Sequence, residues 1–327
     1  MTSNDNYRLI IPHKNNNNEA AALFNKYFQY CTGENKYTPD SVLATWEEPR
    51  FDLEEEARIV VDEEGKWIAY GAVFNTEPPY AESIIVFRID PDYLNRGVGT
   101  LITDWAEQKA LENIKKAPPK SQVVLRGSNF MKMESSSDFM VSRGFSLNRY
   151  YFRMAQSLPA SQALPKQPEG IRIEPFTLRQ NLKELIDCSE ECMLDHWNWW
   201  TMPDDELWED WNHRIKSNPH HDPANWLLAM DGENLIGLCL TDSGTPGDPE
   251  SAYIELLCIK KEYRKRGIAS YLLGLALSES MKRKKKRITL HVDGSSLTGA
   301  TRVYEQAGFK VDQTRMMFNK IIREGQE

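Results

Sequence analysis

The stretch Tyr263-Arg264-Lys265-Arg266-Gly267-Ile268-Ala269-Ser270 decides the reading of this chain. It lies between an apolar run, Tyr253 to Ile259, and a helical stretch, Tyr271 to Leu277. A basic turn with one glycine, closing a strand and opening a helix, aims several main-chain N–H groups at one point. The first four N–H groups of a helix have no partner within it, so that point suits an anionic phosphate. Arg264, Lys265 and Arg266 add charge, and Gly267 lets the backbone approach without a Cβ in the way. The spacing is neither that of a Walker loop nor that of the three-glycine dinucleotide fingerprint.

Further along come a strand, Ile288 to Val292, a polar loop, Asp293-Gly294-Ser295-Ser296, and a short helical segment, Thr298 to Glu305, ending in Ala307-Gly308-Phe309. The first half carries the same series. An apolar run, Ser83 to Ile89, leads into Asn95-Arg96-Gly97-Val98-Gly99, a helix with Leu101, Trp105 and Leu111, a strand, Gln122 to Arg126, and Gly144-Phe145. Gly97 and Gly267 lie 170 residues apart, and Gly144 and Gly308 lie 164 apart, so a whole domain is duplicated, not a short solenoid repeat. The Arg-x-x-Gly-x-Ala loop with the Tyr304-x-x-x-Gly308-Phe309 segment resembles the GCN5-related N-acetyltransferases. The tandem arrangement resembles the bacterial two-domain members that include mycothiol synthase. The resemblance covers nearly the whole chain and implies an α/β fold of two tandem acyl-CoA N-acyltransferase domains, each with a mixed sheet that splays between its fourth and fifth strands.

At 327 residues the chain suits two domains with a core each. The proline-bearing segment 156–168 lacks apolar periodicity and reads as a linker. This predicts a degenerate domain over 1–155 and a catalytic one over 169–327. Within the latter the pattern predicts strands at 171–176, 225–230, 235–241, 253–259, 288–292 and 315–321, with helices over 178–193, 204–216 and 298–307.

The net charge of −8 is spread evenly over the halves, which argues against a general nucleic-acid binder. The basic run Lys282 to Arg287 reads as a solvated helix C-terminus, with a localisation signal or an anionic partner as the rival. No apolar stretch approaches the roughly 18–20 residues of a membrane span, and the first residues lack the pattern of a signal peptide. Five cysteines without a Cys-x-x-Cys pair suit reduced thiols. Cys188 and Cys192 read as core residues, with metal binding as the rival. A cytoplasmic monomer or homodimer without metal, membrane or nucleic acid is expected.

Acetyl transfer to an amine needs a proton acceptor and benefits from a proton at the leaving thiolate. Glu255 is the only acid in the run 253–259; it reads either as the general base or as a surface partner of an arginine. Strict alternation puts it on one face with Tyr253 and Leu257. The resemblance makes Tyr304 the acid, whereas an isolated Tyr in such a helix reads as core. It implies acetyl-CoA as co-substrate, held by Arg264, Lys265, Arg266, Gly267, Ile268, Ala269 and Ser270 at its pyrophosphate. The main chain of Leu257, Cys258 and Ile259 would pair with the pantetheine, and Ser296 stands where many relatives carry an Asn. In the first half Leu94 replaces Arg264 and Met140 replaces Tyr304, which points to a non-catalytic role. The segment with Asp195, His196, Trp197, Trp199, Trp200, Trp208 and Trp211 reads either as core or as a cleft for a small-molecule amine. A catalytically silent acyl-CoA sensor is the rival function.

Overall fold

The computed structural model describes residues 6–179, 181–196, 199–295 and 299–326, with 178 and 179 as backbone only. The expected contact at Ser296, and Trp197, lie outside the described residues. The chain forms two compact units. One comprises residues 1–149, 202–217 and 315–327, and the other 150–201 and 218–314.

The first unit contains β1 (Arg8–Ile10), α1 (Asn17–Thr32), α2 (Pro39–Trp46), α3 (Leu53–Glu56), β2 (Ala57–Val61), β3 (Trp67–Phe74), β4 (Glu82–Ile89), α4 (Val98–Asn113), β5 (Val123–Phe130) and α5 (Glu134–Ser142). Strand β6 (Ser146–Ser157) follows. Residues 68–73 of β3 are buried without alternation, as expected of a strand covered on both faces. On one face Tyr70 and Ala72 pack with Ala20, Phe24 and Trp46 of α1 and α2. On the other, Ile68 and Ala69 pack with Val98 and Ile102 of α4. Helix α2 starts where Thr38 caps it, accepting from the Ser41 N–H at 3.2 Å, with Pro39 in the first turn.

The second unit contains β7 (Ile171–Pro175), α6 (Phe176–Arg179), α7 (Leu182–Met193), β8 (Leu227–Asp231), β9 (Asn234–Asp242), β10 (Ser251–Ile259), α9 (Ile268–Lys282), β11 (Arg287–Asp293) and α10 (Ala300–Gln306). Helix α8 (Asp204–Ser217) and the last strand, β12 (Lys310–Arg323), complete the chain. The expected order of elements is present, and β8 and β9 form the anticipated hairpin, with Gly232 at φ +60° in its turn.

The compact units differ from the linear division at the linker. The strands of the first unit run β1-β2-β3-β4-β5-β12, and the last of them, residues 315–323, is antiparallel to β5. The strands of the second run β7-β8-β9-β10-β11-β6, and the last of them, residues 151–157 of β6, is antiparallel to β11. Each half therefore supplies the strand that completes the other unit's ladder. Helix α8 also belongs to the first unit. There Arg50 grips Asp210 with both carboxylate contacts, 2.6 and 2.7 Å, and His213 reaches the Ala44 carbonyl at 3.0 Å.

Within each sheet one neighbouring pair is parallel, and it is short. β10 pairs with β11 only from Ser251↔Arg287 to Ile254↔Leu290, and β4 with β5 only from Glu82↔Val124 to Ile84↔Arg126. Ile84 and Ile254 are 170 residues apart and Arg126 and Leu290 are 164 apart, so both sheets fork at the same point of the repeat. This is the splay that the resemblance implied.

Exchange of edge strands has a direct consequence for truncation. A fragment of residues 165–327 lacks β6, leaves the edge of β11 unpaired and carries residues 315–323 without β5. It is expected to aggregate and to melt without a cooperative transition in circular dichroism. A soluble monomer with a sharp melt would contradict the exchange.

Candidate active site

Both loops between fork and helix share one backbone conformation. In the second unit a single 3-10 turn, Lys261–Tyr263, is followed by Lys265 at φ +61° and Gly267 at φ +80°. In the first, the turn Pro91–Tyr93 is followed by Asn95 at φ +60° and Gly97 at φ +84°. The first helical bond then runs from Tyr271 N–H to the Gly267 carbonyl, 3.0 Å, or from Leu101 N–H to the Gly97 carbonyl, 3.1 Å. The N–H groups before it have no acceptor within the helix and face outward at its start. A Cβ added at Gly267 would meet no protein atom within 4 Å, so the space over the loop is open to a ligand. The side chains repeat as well. Arg266 lies over the Tyr263 ring at 5.4 Å, as Arg96 lies over Tyr93 at 5.3 Å.

Arg264 makes its own contacts within the unit. Its Nε donates to the Ile259 carbonyl at 3.0 Å and its two terminal nitrogens to Asp195 at 2.6 and 2.9 Å, with a further bond to the Cys192 carbonyl. The paired guanidinium holds the Asp195 carboxyl below its usual range. Arg264 thus ties the loop to the end of α7, while Lys265 and Arg266 remain exposed.

Glu255 stands just past the last β10–β11 pair, at the opening of the fork. It also occupies a β-bulge: Ile254 pairs with Thr241 and Leu256 with Leu240, which leaves Glu255 as the extra residue. The bulge overturns the alternation expected from sequence. Tyr253 opposes Asp242 and Leu257 opposes Cys239, so these two side chains lie on opposite faces. Beyond the bulge, Leu257, Cys258 and Ile259 keep their ladder with β9, while their other edge has parted from β11. That edge is available to an extended chain of amides.

Tyr304 of α10 belongs to the same core cluster as Ile254, Ile259 and Ile268. Its hydroxyl has no hydrogen-bond partner among the described residues, and burial raises its pKa above that of an ordinary phenol, with smaller contributions from Cys239 and Cys258. Raised, it stays protonated throughout the neutral range.

The aromatic segment is divided. Trp199 and Trp200 are exposed in the second unit, whereas Trp208 and Trp211 lie on α8 in the first, Trp211 buried. They do not form one cleft within a unit. The sequence reading also passed over the other flank of the fork. His291 follows the last paired residue of β11, and its signal was a single imidazole in an apolar strand.

The first unit holds a cavity of about 150 Å³ beside its own fork, lined among others by Phe87, Asn95, Gly97, Thr103, Asn129 and Met140. Thr103 Oγ1 and Asn129 Nδ2 are buried there without hydrogen-bond partners. The side chains at the fork do not repeat. Ile85 stands where Glu255 does, no bulge interrupts β4, and Met140 takes the place of Tyr304.

All five cysteines are free and buried. The Cys192 thiol and burial together push the Cys188 thiol up, so that it stays protonated. Among the described residues no group of three or more His, Cys, Asp or Glu is arranged to hold a metal ion, and no helix is long and apolar enough to cross a membrane.

Relatives carry the same architecture. The family model for acetyltransferase (GNAT) matches residues 17–117 and 182–309. A mycothiol acetyltransferase of Geodermatophilus obscurus is 24% identical over 183 residues, 54% of this chain and 57% of that protein. Another from Thermobispora bispora is 27% identical over 173 residues, 51% and 55% of the two chains. The chain therefore aligns with little more than half the length of these curated relatives. A GCN5-related N-acetyltransferase from Sphaerobacter thermophilus superposes with a TM-score of 0.80 at 26% identity, covering 98% of this chain and 97% of that one. A tandem GNAT protein from the clavulanic acid biosynthesis pathway shares the fold at 11% identity, with a TM-score of 0.73 over 98% and 100% of the chains. With two family-model matches over most of its length and two forked sheets carrying the same loop, the chain belongs to the acetyltransferase (GNAT) family.

Proposed function

We propose that the second unit transfers an acetyl group from acetyl-CoA to a primary amine of a small molecule, by direct attack in a ternary complex. The observation that carries this reading is the carboxylate of Glu255 on a bulge at the mouth of the fork. The residues fit the co-substrate. The N–H groups of Ile268, Ala269 and Ser270, with Lys265 and Arg266, face the pyrophosphate over Gly267. The open edge of Leu257, Cys258 and Ile259 pairs with the amides of the pantetheine as an added strand would. Arg264 contributes by holding the loop on Asp195.

Glu255 accepts a proton from the attacking nitrogen. Tyr304, kept protonated by its burial, donates a hydrogen bond to the sulfur as negative charge develops there. An unperturbed phenol has a pKa near 10 and an unperturbed thiol about 8.5, so a phenol raised further stabilises the thiolate by hydrogen bonding and releases its proton only as another is supplied.

A second reading applies to the first unit. Its cavity and unpartnered Thr103 and Asn129 suit an acyl-CoA arm, while Ile85 and Met140 supply neither base nor acid. It binds without turnover. The two loops are separable by mutation. Gly267→Val places a branched side chain where the pyrophosphate approaches and should weaken acetyl-CoA binding at the productive site about tenfold or more, roughly 1.4 kcal/mol. Gly97→Val should remove a calorimetric binding event while leaving turnover intact. Unchanged affinity and turnover in Gly267→Val would remove this loop from the site.

Glu255→Gln and Tyr304→Phe should each keep acetyl-CoA affinity and lower kcat by about 10²–10⁴-fold. The loss at Glu255 should persist at high pH, because the proton it takes leaves the nitrogen as the C–N bond forms and a neutral amine still carries it. Wild-type turnover in Tyr304→Phe would show a hydroxyl that only packs.

A further inference from the structure

Acetyl transfer to an amine that arrives as its ammonium ion removes two protons from nitrogen. One ends on the sulfur of the released thiol and the other in solvent. Glu255 accounts for one of them, and a single carboxylate does not carry both at once. The fork has a second flank. The last parallel pair is Ile254↔Leu290, so the next residues on the two strands, Glu255 and His291, stand on either side of the opening. Tyr253 and Thr289 are partners across the strands, and His291, two residues beyond Thr289, shares their face. Tyr253 Oη lies 3.1 Å from His291 Nδ1, with the rings edge-to-face at 5.7 Å. His291 is exposed, so a proton on it exchanges with water.

We infer that His291 is a further proton-accepting residue of the second unit: it takes the first proton from the incoming ammonium and passes it to water, with Tyr253 as its positioning residue. This rests on the acetyl-transfer reading above and deepens it. The balance is then complete. His291 Nε2 accepts the first proton and returns it to solvent; Glu255 accepts the second as the C–N bond forms; the C–S bond breaks, and the proton given up by Glu255 balances the one that the sulfur gains. For Nε2 to accept, Nδ1 must keep its hydrogen and donate it to the Tyr253 oxygen, an arrangement that the 3.1 Å contact permits. Imidazole also suits the first step better than carboxylate. An unperturbed imidazole has a pKa about 6.5 and a Glu carboxyl about 4.3, so removing a proton from an amine of pKa about 10 is roughly 100-fold less unfavourable with imidazole.

Across β6, His291 pairs with Arg153, whose guanidinium is held by Asp312 at 2.6 Å. The first unit shows the contrast. The residue after its last parallel pair on β5 is Gly127, and a Cβ there would lie 2.6 Å from the Met140 methyl and 3.2 Å from Ile85. At the positions of Glu255, His291 and Tyr304 in the second unit, the first has Ile85, Gly127 and Met140, none of which moves a proton.

The test uses the full chain, with amine-dependent thiol release from acetyl-CoA and calorimetry of acetyl-CoA binding run in parallel. His291→Asn and His291→Gln should bind acetyl-CoA within about twofold of wild type, while kcat/KM for the amine near neutral pH falls about 10–100-fold. The deficit should vanish above the pKa of the amine and be partly restored by added imidazole. Tyr253→Phe should give a smaller loss with the same pH dependence. A loss independent of pH, or wild-type kcat/KM in both His291 variants near neutral pH, overturns this inference alone. Acetyl-CoA binding with no thiol release from wild type on any amine overturns the acetyl-transfer reading, and this inference with it.

Discussion

A parallel strand pair only a few residues long is the constraint on which the rest of this molecule depends. β10 and β11 share hydrogen bonds from Ser251 to Ile254 and then part, although each runs on for several residues. Backbone N–H and C=O groups on a parting edge need partners, and water or a ligand must provide them. A chain of amides running into that opening supplies bonds in the place of a strand. The same opening brings the loop over Gly267, the bulge at Glu255 and the hydroxyl of Tyr304 to one side-chain neighbourhood centred on Ile254 and Ile268. Chemistry is possible there because the sheet is incomplete.

The two units isolate what such a fork requires. Their loops agree in positive φ, in the stacked Arg–Tyr pair and in the first helical bond. They part company in the fork itself. The first unit has a regular β4 and apolar groups, and keeps buried Thr103 and Asn129 beside a cavity. An unsatisfied buried polar atom costs about 1–3 kcal/mol unless something meets it. On the proposed function, a cavity kept without the proton-handling groups would separate binding from turnover within one chain. Exchange of strands between the halves ties the units together, since each lacks a strand without the other's half of the sequence.

Much of this was legible in the sequence. The duplication at offsets of 170 and 164 residues, the loop with Gly267 and the order of strands and helices follow from local pattern: glycine, charge and apolar period. What escaped was long-range. Period alone places residues 315–323 in a last strand without saying which sheet receives it, because an edge strand reads alike beside β5 or β11. A bulge adds one residue to a ladder, and only the partner strand reveals it, so the faces of Tyr253 and Leu257 were assigned by an alternation that Glu255 breaks. Arg264 was matched to phosphate by position in its motif. Its pairing with Asp195, 69 residues away in sequence, is not local. His291 carried no motif, and only the end of the β10–β11 ladder sets it opposite Glu255.

The central claim is that the second fork performs acetyl transfer and does not merely hold acyl-CoA. Incubating the full chain with acetyl-CoA and a panel of small primary amines, and measuring free thiol and acetylated product together, tests this most directly. The account predicts thiol release that depends on the amine, with one acetylated molecule formed per thiol. Saturable binding of acetyl-CoA, with neither thiol nor product above the rate without protein for every amine, would contradict it and leave the chain a sensor.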